Sequence, residues 1–409
     1  MREDAFSRRQ VRILAACFIA YFCAYIGRLN MSATLDQIMG EMNVDGATGG
    51  ALQTVFATVY ACGQFVFGAI VDHVNPVLMI AVGLCGSAAS NLCFSFSGSF
   101  SPLLYIWAIN GLFQSMLWTS IVRILAENYT GKKSRRASFT MSFTLALGHL
   151  AAWALAGFMS DSFGWRKAYV IPACVLLAAC ASFLLLMPRG KTDGAEAPSR
   201  GAKNAETGKM SFRGLLGTGL ISLLFLSVAN GFVRDGVITW APTILGANKG
   251  LFTLIIPVVN LIGIYMGSRI AKKYSSGIRA VVMGLMAACV LPSVLMLLFP
   301  ASPVYAMALL LGVMSASLYG SNPMLTSIVP MQYRGAGRVG LVAGLVDSFI
   351  YLGSALAGVL TGWMHDDSGS WTGVYALWAV VSAAGMAAAL ISTRGEKKLT
   401  GEAESSPGA

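Results

Sequence analysis

Residues 191–209 read KTDGAEAPSRGAKNAETGK, a polar run of Gly, Ala and Ser with no aromatic residue. Such a stretch cannot bury enough apolar surface to order itself and reads as a flexible connection. On both sides of it the chain changes character. Apolar stretches of about 20 residues, each enough to cross the hydrocarbon core as a helix, fall at 11–36, 47–71, 76–96, 101–126, 137–160 and 168–188 upstream. Downstream they fall at 214–245, 250–271, 279–299, 303–329, 338–363 and 371–392. The sequence therefore predicts an all-α polytopic membrane protein. Its twelve transmembrane helices form two pseudo-symmetric halves of six, 1–188 and 214–393. A cytoplasmic linker, 189–213, joins them, and a disordered cytoplasmic tail, 394–409, follows.

Composition agrees. Of 409 residues 56% are hydrophobic and 11% charged, with a mean hydropathy of +0.67, whereas an ordinary soluble domain has about 25% charged residues. A soluble fold of this composition would lack the polar surface to cover itself. The first span is too long for a secretory signal, and no small-residue cleavage site follows it. The eight cysteines all lie in apolar runs without CxxC spacing, which argues against a disulfide framework or a zinc site and for small packing residues. No P-loop, metal-ligand cluster or nucleophile motif is present. The reading is a protein that is not an enzyme and needs no cofactor or metal.

Charge sets the orientation. If both termini are cytoplasmic, 23 of the 29 Lys and Arg fall on the cytoplasmic side, and only Arg166, Lys167 and Lys249 fall outside. This is the positive-inside pattern of a multi-pass protein of the cell (inner) membrane. The net charge of +11 then reflects topology and attraction to anionic lipid, and no nucleic-acid partner is implied. Two halves joined by a long middle loop suit a transporter built from parallel repeats. Gly68-Ala-Ile-Val-Asp72 and Gly267-Ser-Arg-Ile-Ala271 end equivalent spans, the second and the eighth.

The remaining charges lie inside the spans. An ionisable side chain there costs roughly 2.5–3.5 kcal/mol on insertion scales and usually marks a pathway. Arg28 in the first span and Arg234 in the seventh occupy equivalent places in the two repeats and reach similar depths. A guanidinium stays charged and forks onto phosphate or carboxylate. Two readings are open: an anion clamp with one jaw on each half, or two arginines each neutralised by a nearby acid. Arg123 has Glu127 at i+4, a spacing that suits a structural brace. Asp235 and Asp347 are further acids within spans.

At this point the sequence resembles the major facilitator superfamily and, within it, the organophosphate:phosphate antiporter family, which includes glycerol-3-phosphate and hexose-6-phosphate carriers. The resemblance covers nearly the whole chain. It rests on Tyr25-Ile-Gly-Arg28-Leu-Asn30, on Gly68-x-x-x-Asp72-His-x-Asn75-Pro76, and on Asn110-Gly-Leu-Phe-Gln114-Ser-Met-Leu-Trp118 with Arg123 after it. The most specific segment is Arg234-Asp-Gly236-Val-Ile-Thr-Trp240-Ala-Pro242-Thr243. The resemblance implies that Arg28 and Arg234 hold the phosphate group. It implies that Tyr21, Tyr25 and Tyr60 line the cavity, and that Trp118 and His149 belong to the site. Gly68, Asp72 and Arg123 would form the loop motif. Departures from the family pattern are His73 for the usual arginine, Gln64 where some members carry a lysine, and the acids Asp235 and Asp347. These make the cavity less positive and admit a zwitterionic phosphate ester, a phosphonate or a carboxylate.

The expected function is transport of a small organic anion, an organophosphate exchanged for inorganic phosphate by alternating access in a monomer. The alternative is a proton-coupled organic-anion symporter of the same fold, with Asp347 or Asp235 as the coupling group. A more remote alternative is a sugar-phosphate sensor. Glycines in the fifth and eleventh spans (Gly148, Gly157, Gly344, Gly353, Gly358) would allow close sliding contacts, or would serve ordinary packing.

Overall fold

A computed structural model describes residues 6–71, 73–188, 219–246, 250–273, 277–333 and 339–404. The linker predicted at 189–213 lies outside these residues. The described residues form helices and connecting turns, with no strand among them. The first six helices are α1 (Arg8–Met42), α2 (Gly46–Ile70), α3 (Pro76–Ser95), α4 (Phe100–Asn128), α5 (Gly131–Phe163) and α6 (Lys167–Leu186). The other six are α7 (Leu220–Leu245), α8 (Ile255–Lys273), α9 (Ile278–Leu298), α10 (Val304–Pro323), α11 (Val339–Ser368) and α12 (Thr372–Glu404). A 3₁₀ turn, Gly250–Leu254, leads into α8. A π-helical turn, Met324–Ile328, carries α10 on to Val329–Met331.

Helix ends follow local chemistry. Ser7 and Gln10 form a reciprocal capping box at the start of α1. Asn75 caps α3, with Pro76 in its first turn. Two carboxylates satisfy the first turn of α2. Asp45 accepts from the Thr48 N–H at 2.8 Å, and Asp366 accepts from Gly46 and Ala47 at 2.9 and 2.7 Å.

Eleven of the helices are long and apolar enough to span a bilayer, and α4 is long enough but less apolar. The reason is internal. Asn110 and Gln114 of α4 are buried and reach α1 and α3. Asn110 donates to the Gly27 carbonyl (3.1 Å), and Gln114 donates to the Ala24 carbonyl and Ser87 Oγ (both 3.0 Å). Polar groups that bond across helices do not face lipid.

The chain divides into two compact units, Met1–Val44 with Val55–Ala202, and Asp45–Thr54 with Lys203–Ala409. The first turns of α2 thus belong with the second unit, where Thr54 Oγ1 donates to the Ala355 carbonyl at 2.5 Å. Within the first unit α1 packs on α5 and α6, and α3 packs on α4 and α6. Within the second, α7 packs on α11 and α12, and α9 packs on α10 and α12. The same pairings recur six helices later, as two copies of one repeat require.

Several sequence expectations change. The helix α12 continues to Glu404, so the tail expected to be disordered from Arg394 is helical as far as that residue. Its Glu, Lys, Leu and Ala content favours helix, and each residue added to an existing helix adds a hydrogen bond. Arg279, counted with a cytoplasmic loop, lies in the first turn of α9 and is 1% exposed. It donates to Gln332 Oε1 (3.1 Å), to the carbonyl (2.8 Å) and Oγ (3.0 Å) of Ser392, and to the Tyr333 hydroxyl (3.2 Å). Among the glycines, a Cβ on Gly148, Gly353 or Gly358 would strike a neighbouring helix, but one on Gly157 or Gly344 would meet nothing within 4 Å. All eight cysteines are free thiols.

Candidate functional site

In the first unit the site is built around Arg28. Its guanidinium lies over the rings of Tyr60, Phe56 and Tyr25, at 4.5, 4.9 and 5.7 Å. Tyr25 is one turn before Arg28 on α1, and Phe56 and Tyr60 are one turn apart on α2 with their rings stacked at 5.9 Å. Aromatic faces hold the guanidinium plane by cation–π attraction without consuming its N–H edge, the part that forks onto a phosphate. Gln64, the next turn of α2, donates to the Tyr60 hydroxyl at 2.8 Å. Tyr21 stands edge-on to Tyr25 (5.2 Å) and leans on Trp118 of α4 (5.0 Å). Arg28, Tyr21, Tyr25, Tyr60, Gln64 and Trp118 are thus one continuous cluster.

Phe56 joins this cluster although its sequence gave no reason to single it out beyond i−4 spacing from Tyr60. Behind the cluster the Gly27 carbonyl accepts side-chain amides from Asn91, Asn110 and Gln114 at 2.9, 3.1 and 3.3 Å. Three amides from two helices, α3 and α4, therefore pin α1 at the residue before Arg28. A Cβ on Gly148 would meet Tyr25 Cβ at 2.5 Å, so α5 closes on α1 here. His149 is fully buried, its ring edge-on to Trp153 at 4.1 Å, and the Trp153 indole N–H donates to Ser32 Oγ at 3.0 Å. This places His149 in the packing of α5.

In the second unit Arg234 takes a different set of partners. Its Nε and Nη2 donate to the two carboxylate oxygens of Asp235, at 2.8 and 2.9 Å, and Nη1 donates to Asn322 Oδ1 at 2.7 Å. Adjacent helix residues point about 100° apart, so the arginine stem must fold back to make this fork. Both side chains are largely buried, at 11% and 12% exposed. Tyr319 of α10 and Tyr351 of α11 lie within electrostatic reach of the guanidinium. The neighbouring Asn230 donates to Ser321 Oγ at 2.8 Å. Asp347 lies on α11, partly buried, one turn before Tyr351.

The expected loop group separates into parts. Arg123 Nη1 donates to the carbonyls of Val74 (2.9 Å) and Val71, and Nε pairs with Glu127 at 2.8 Å. It fastens α4 to the turn after α2. Gly68 lies near the end of α2, and Asp72 lies outside the described residues.

Residues 17–339 match the family model described as Major Facilitator Superfamily. The chain belongs to that superfamily. A crystal structure of a bacterial homologue of the human lysosomal transporter Spinster superposes with a TM-score of 0.71, covering 97% of this chain and 99% of that one. The nucleoside transporter NupG superposes with a TM-score of 0.71 over 93% and 99%. At 15% and 14% identity these two show the fold alone.

Sequence relatives are more informative. A probable hexose phosphate transport protein of Chlamydia pneumoniae is 26% identical, over 90% of this chain and 87% of its own length. The glycerol-3-phosphate transporter of Bacillus subtilis is 24% identical over 61% and 60%. The membrane sensor protein UhpC of Escherichia coli is 26% identical over 40% and 38%. The superfamily member described here is a multi-pass membrane carrier and not an enzyme.

Proposed function

We propose that this superfamily member transports a small organophosphate across the cell membrane in exchange for inorganic phosphate, by alternating access of its two six-helix halves. The observation that carries the reading is one arginine within a candidate membrane span of each unit, on the helix that opens each half. Arg28 lies on three aromatic faces, and Arg234 is held by a carboxylate and an amide. Arginine is the side chain whose planar fork matches phosphate oxygens. Tyrosine hydroxyls and Gln64 can add hydrogen bonds to those oxygens without adding charge. The names of the hexose phosphate and glycerol-3-phosphate relatives point to the same substrate class. The carrier works as a monomer with both termini in the cytoplasm.

A second reading is favoured by one specific contact. The fork of Arg234 on Asp235 lowers the net positive charge of the empty site. A buried guanidinium without a counter-charge carries a large desolvation cost that a bound anion relieves, so reorientation without substrate is hindered. A neutralised one relaxes that constraint, which suits an ion-coupled symporter of organic anions.

Phosphate counterflow in proteoliposomes tests both readings. Vesicles loaded with labelled phosphate should release it faster when phosphate or an organophosphate is outside. Arg28→Lys and Arg234→Lys keep the charge but lose the fork, so each should lower the exchange rate by at least about tenfold. Uptake of an organic anion driven by a proton gradient, without phosphate exchange, would replace the first reading by the second. Binding without flux would identify a sensor.

A further inference from the structure

Helices α8 and α10 run parallel and in close contact. A Cβ on Gly263 would stand 2.3 Å from the Ala316 carbonyl oxygen, one on Gly267 would stand 2.7 Å from that of Gly320, and one on Gly312 would stand 3.5 Å from Val259 Cβ. The register is thus 259 against 312, 263 against 316 and 267 against 320. Each residue turns about 100° from the one before it. In parallel helices, a residue just after the contact line on one and a residue just before it on the other therefore share a flank. Asn260 of α8 and Ser315 of α10 are such a pair. Ser315, Tyr319 and Asn322 follow at i, i+4 and i+7, so this is also the flank on which Asn322 meets Arg234.

Both side chains are fully buried. Asn260 interrupts the buried apolar stripe of Ile256, Ile264 and Ala271. Among the described residues, neither the carbonyl nor the amino end of its amide has a hydrogen-bond partner, and Ser315 Oγ has none either. Buried polar groups in native proteins are nearly always bonded. An amide offers a donor and an acceptor side by side, and a hydroxyl group can meet either. Seven residues separate Ser315 from Asn322, about 10 Å along the helix axis, which the carbon chain of a phosphate ester can span.

We propose that Asn260, together with Ser315, determines specificity at the Arg234 site: the pair hydrogen-bonds hydroxyl groups on the organic part of the substrate while Arg234 holds its phosphate. The inference rests on the proposed phosphate reading and extends it to the organic part. A site built to bond a hydroxyl rejects an analogue that lacks it, because its own polar groups are then left unpaired.

The test uses two pairs of probes, each sharing a phosphate group and a carbon chain: glycerol 3-phosphate with propyl phosphate, and sorbitol 6-phosphate with hexyl phosphate. Each probe competes with labelled phosphate counterflow in proteoliposomes. In wild-type protein the hydroxylated ester should inhibit at least about tenfold more strongly than its alkyl partner in at least one pair. Asn260→Leu keeps the volume and loses both polar ends, so it should lower that ratio about tenfold, chiefly through the hydroxylated ester. Ser315→Ala should lower it about threefold, and an unchanged ratio there would overturn the pair.

A wild-type ratio below about tenfold in both probe pairs would overturn the proposal without any variant, whether or not Asn260→Leu folds. So would a ratio lowered by less than about threefold in an active Asn260→Leu, which would assign the amide to packing. Wild-type vesicles that exchange no phosphate would overturn the phosphate reading itself, and this inference with it.

Discussion

What an arginine does inside a membrane protein depends on what its N–H groups meet. Four arginines here meet four different surroundings. Arg28 lies on rings, Arg234 on a carboxylate and an amide, and Arg123 on loop carbonyls. Arg279 is enclosed by a carbonyl, two hydroxyls and an amide. The first three are legible in the sequence because each interrupts an apolar run. Arg279 is not, because it lies close to Lys272 and Lys273 and reads as one more cytoplasmic charge. Asn322 and Phe56 escape for a related reason: one amide or one ring in an apolar helix carries no periodic signal. A buried guanidinium with this many acceptors is a stability element. Arg279→Lys keeps the charge, yet an ammonium cannot reach all four acceptors, and an unsatisfied buried donor or acceptor costs about 1–3 kcal/mol. The expected result is a thermal midpoint several degrees lower, followed by a thiol-reactive dye on the buried Cys17 and Cys289. An unchanged midpoint would show that Arg279 does not pin α9.

At the scale of the element, span existence follows from apolar length, and the structure returns a helix at each of the twelve positions. What the pattern misses is where two helices touch. On α7 and α11 the contact is backbone to backbone. A Cβ on Gly353 would stand 2.0 Å from the Val228 carbonyl oxygen, and one on Gly231 would stand 1.8 Å from that of Ile350. Neither oxygen can rotate away as a side chain could. Gly344, on the same α11, faces open space. Composition does not separate these glycines, because spacing along one helix says nothing about the surface of its partner. The pair gives an internally controlled prediction. Gly353→Ala should destabilise by about 1–3 kcal/mol through overpacking. Gly344→Ala should be neutral or slightly stabilising, because alanine favours helix over glycine by up to about 1 kcal/mol. Thermal unfolding of both purified variants against wild type checks this, and equal shifts would refute the close α7–α11 contact. Both substitutions leave Arg234 and Asp235 in place.

At the scale of the whole molecule, the duplicated six-helix plan was readable from the polar run at 191–209 and the apolar stretches around it. The shared pairing of helices within each unit agrees with that plan. The direction in which the chain threads the membrane is a separate matter, which the fold cannot decide and charge can. Of the three basic residues expected outside, Arg166 is neutralised locally, its Nη1 lying 2.6 Å from Glu41 Oε1. That pairing also tethers the start of α6 to the end of α1. Acidic partners weigh little in orientation, but basic residues near span ends weigh heavily. The excess on the other side includes Arg8, Arg9 and Arg12 at the start of α1, and Lys133 and Arg136 in α5. The predicted orientation therefore has Arg8 and Glu404 on the cytoplasmic side and Gly164 outside. Green fluorescent protein fused after Glu404 should fluoresce, and alkaline phosphatase fused there should be inactive. The same phosphatase inserted at Gly164 should be active. The opposite pattern would place the basic residues outside and would refute the charge argument, while leaving the helix pairings as they are.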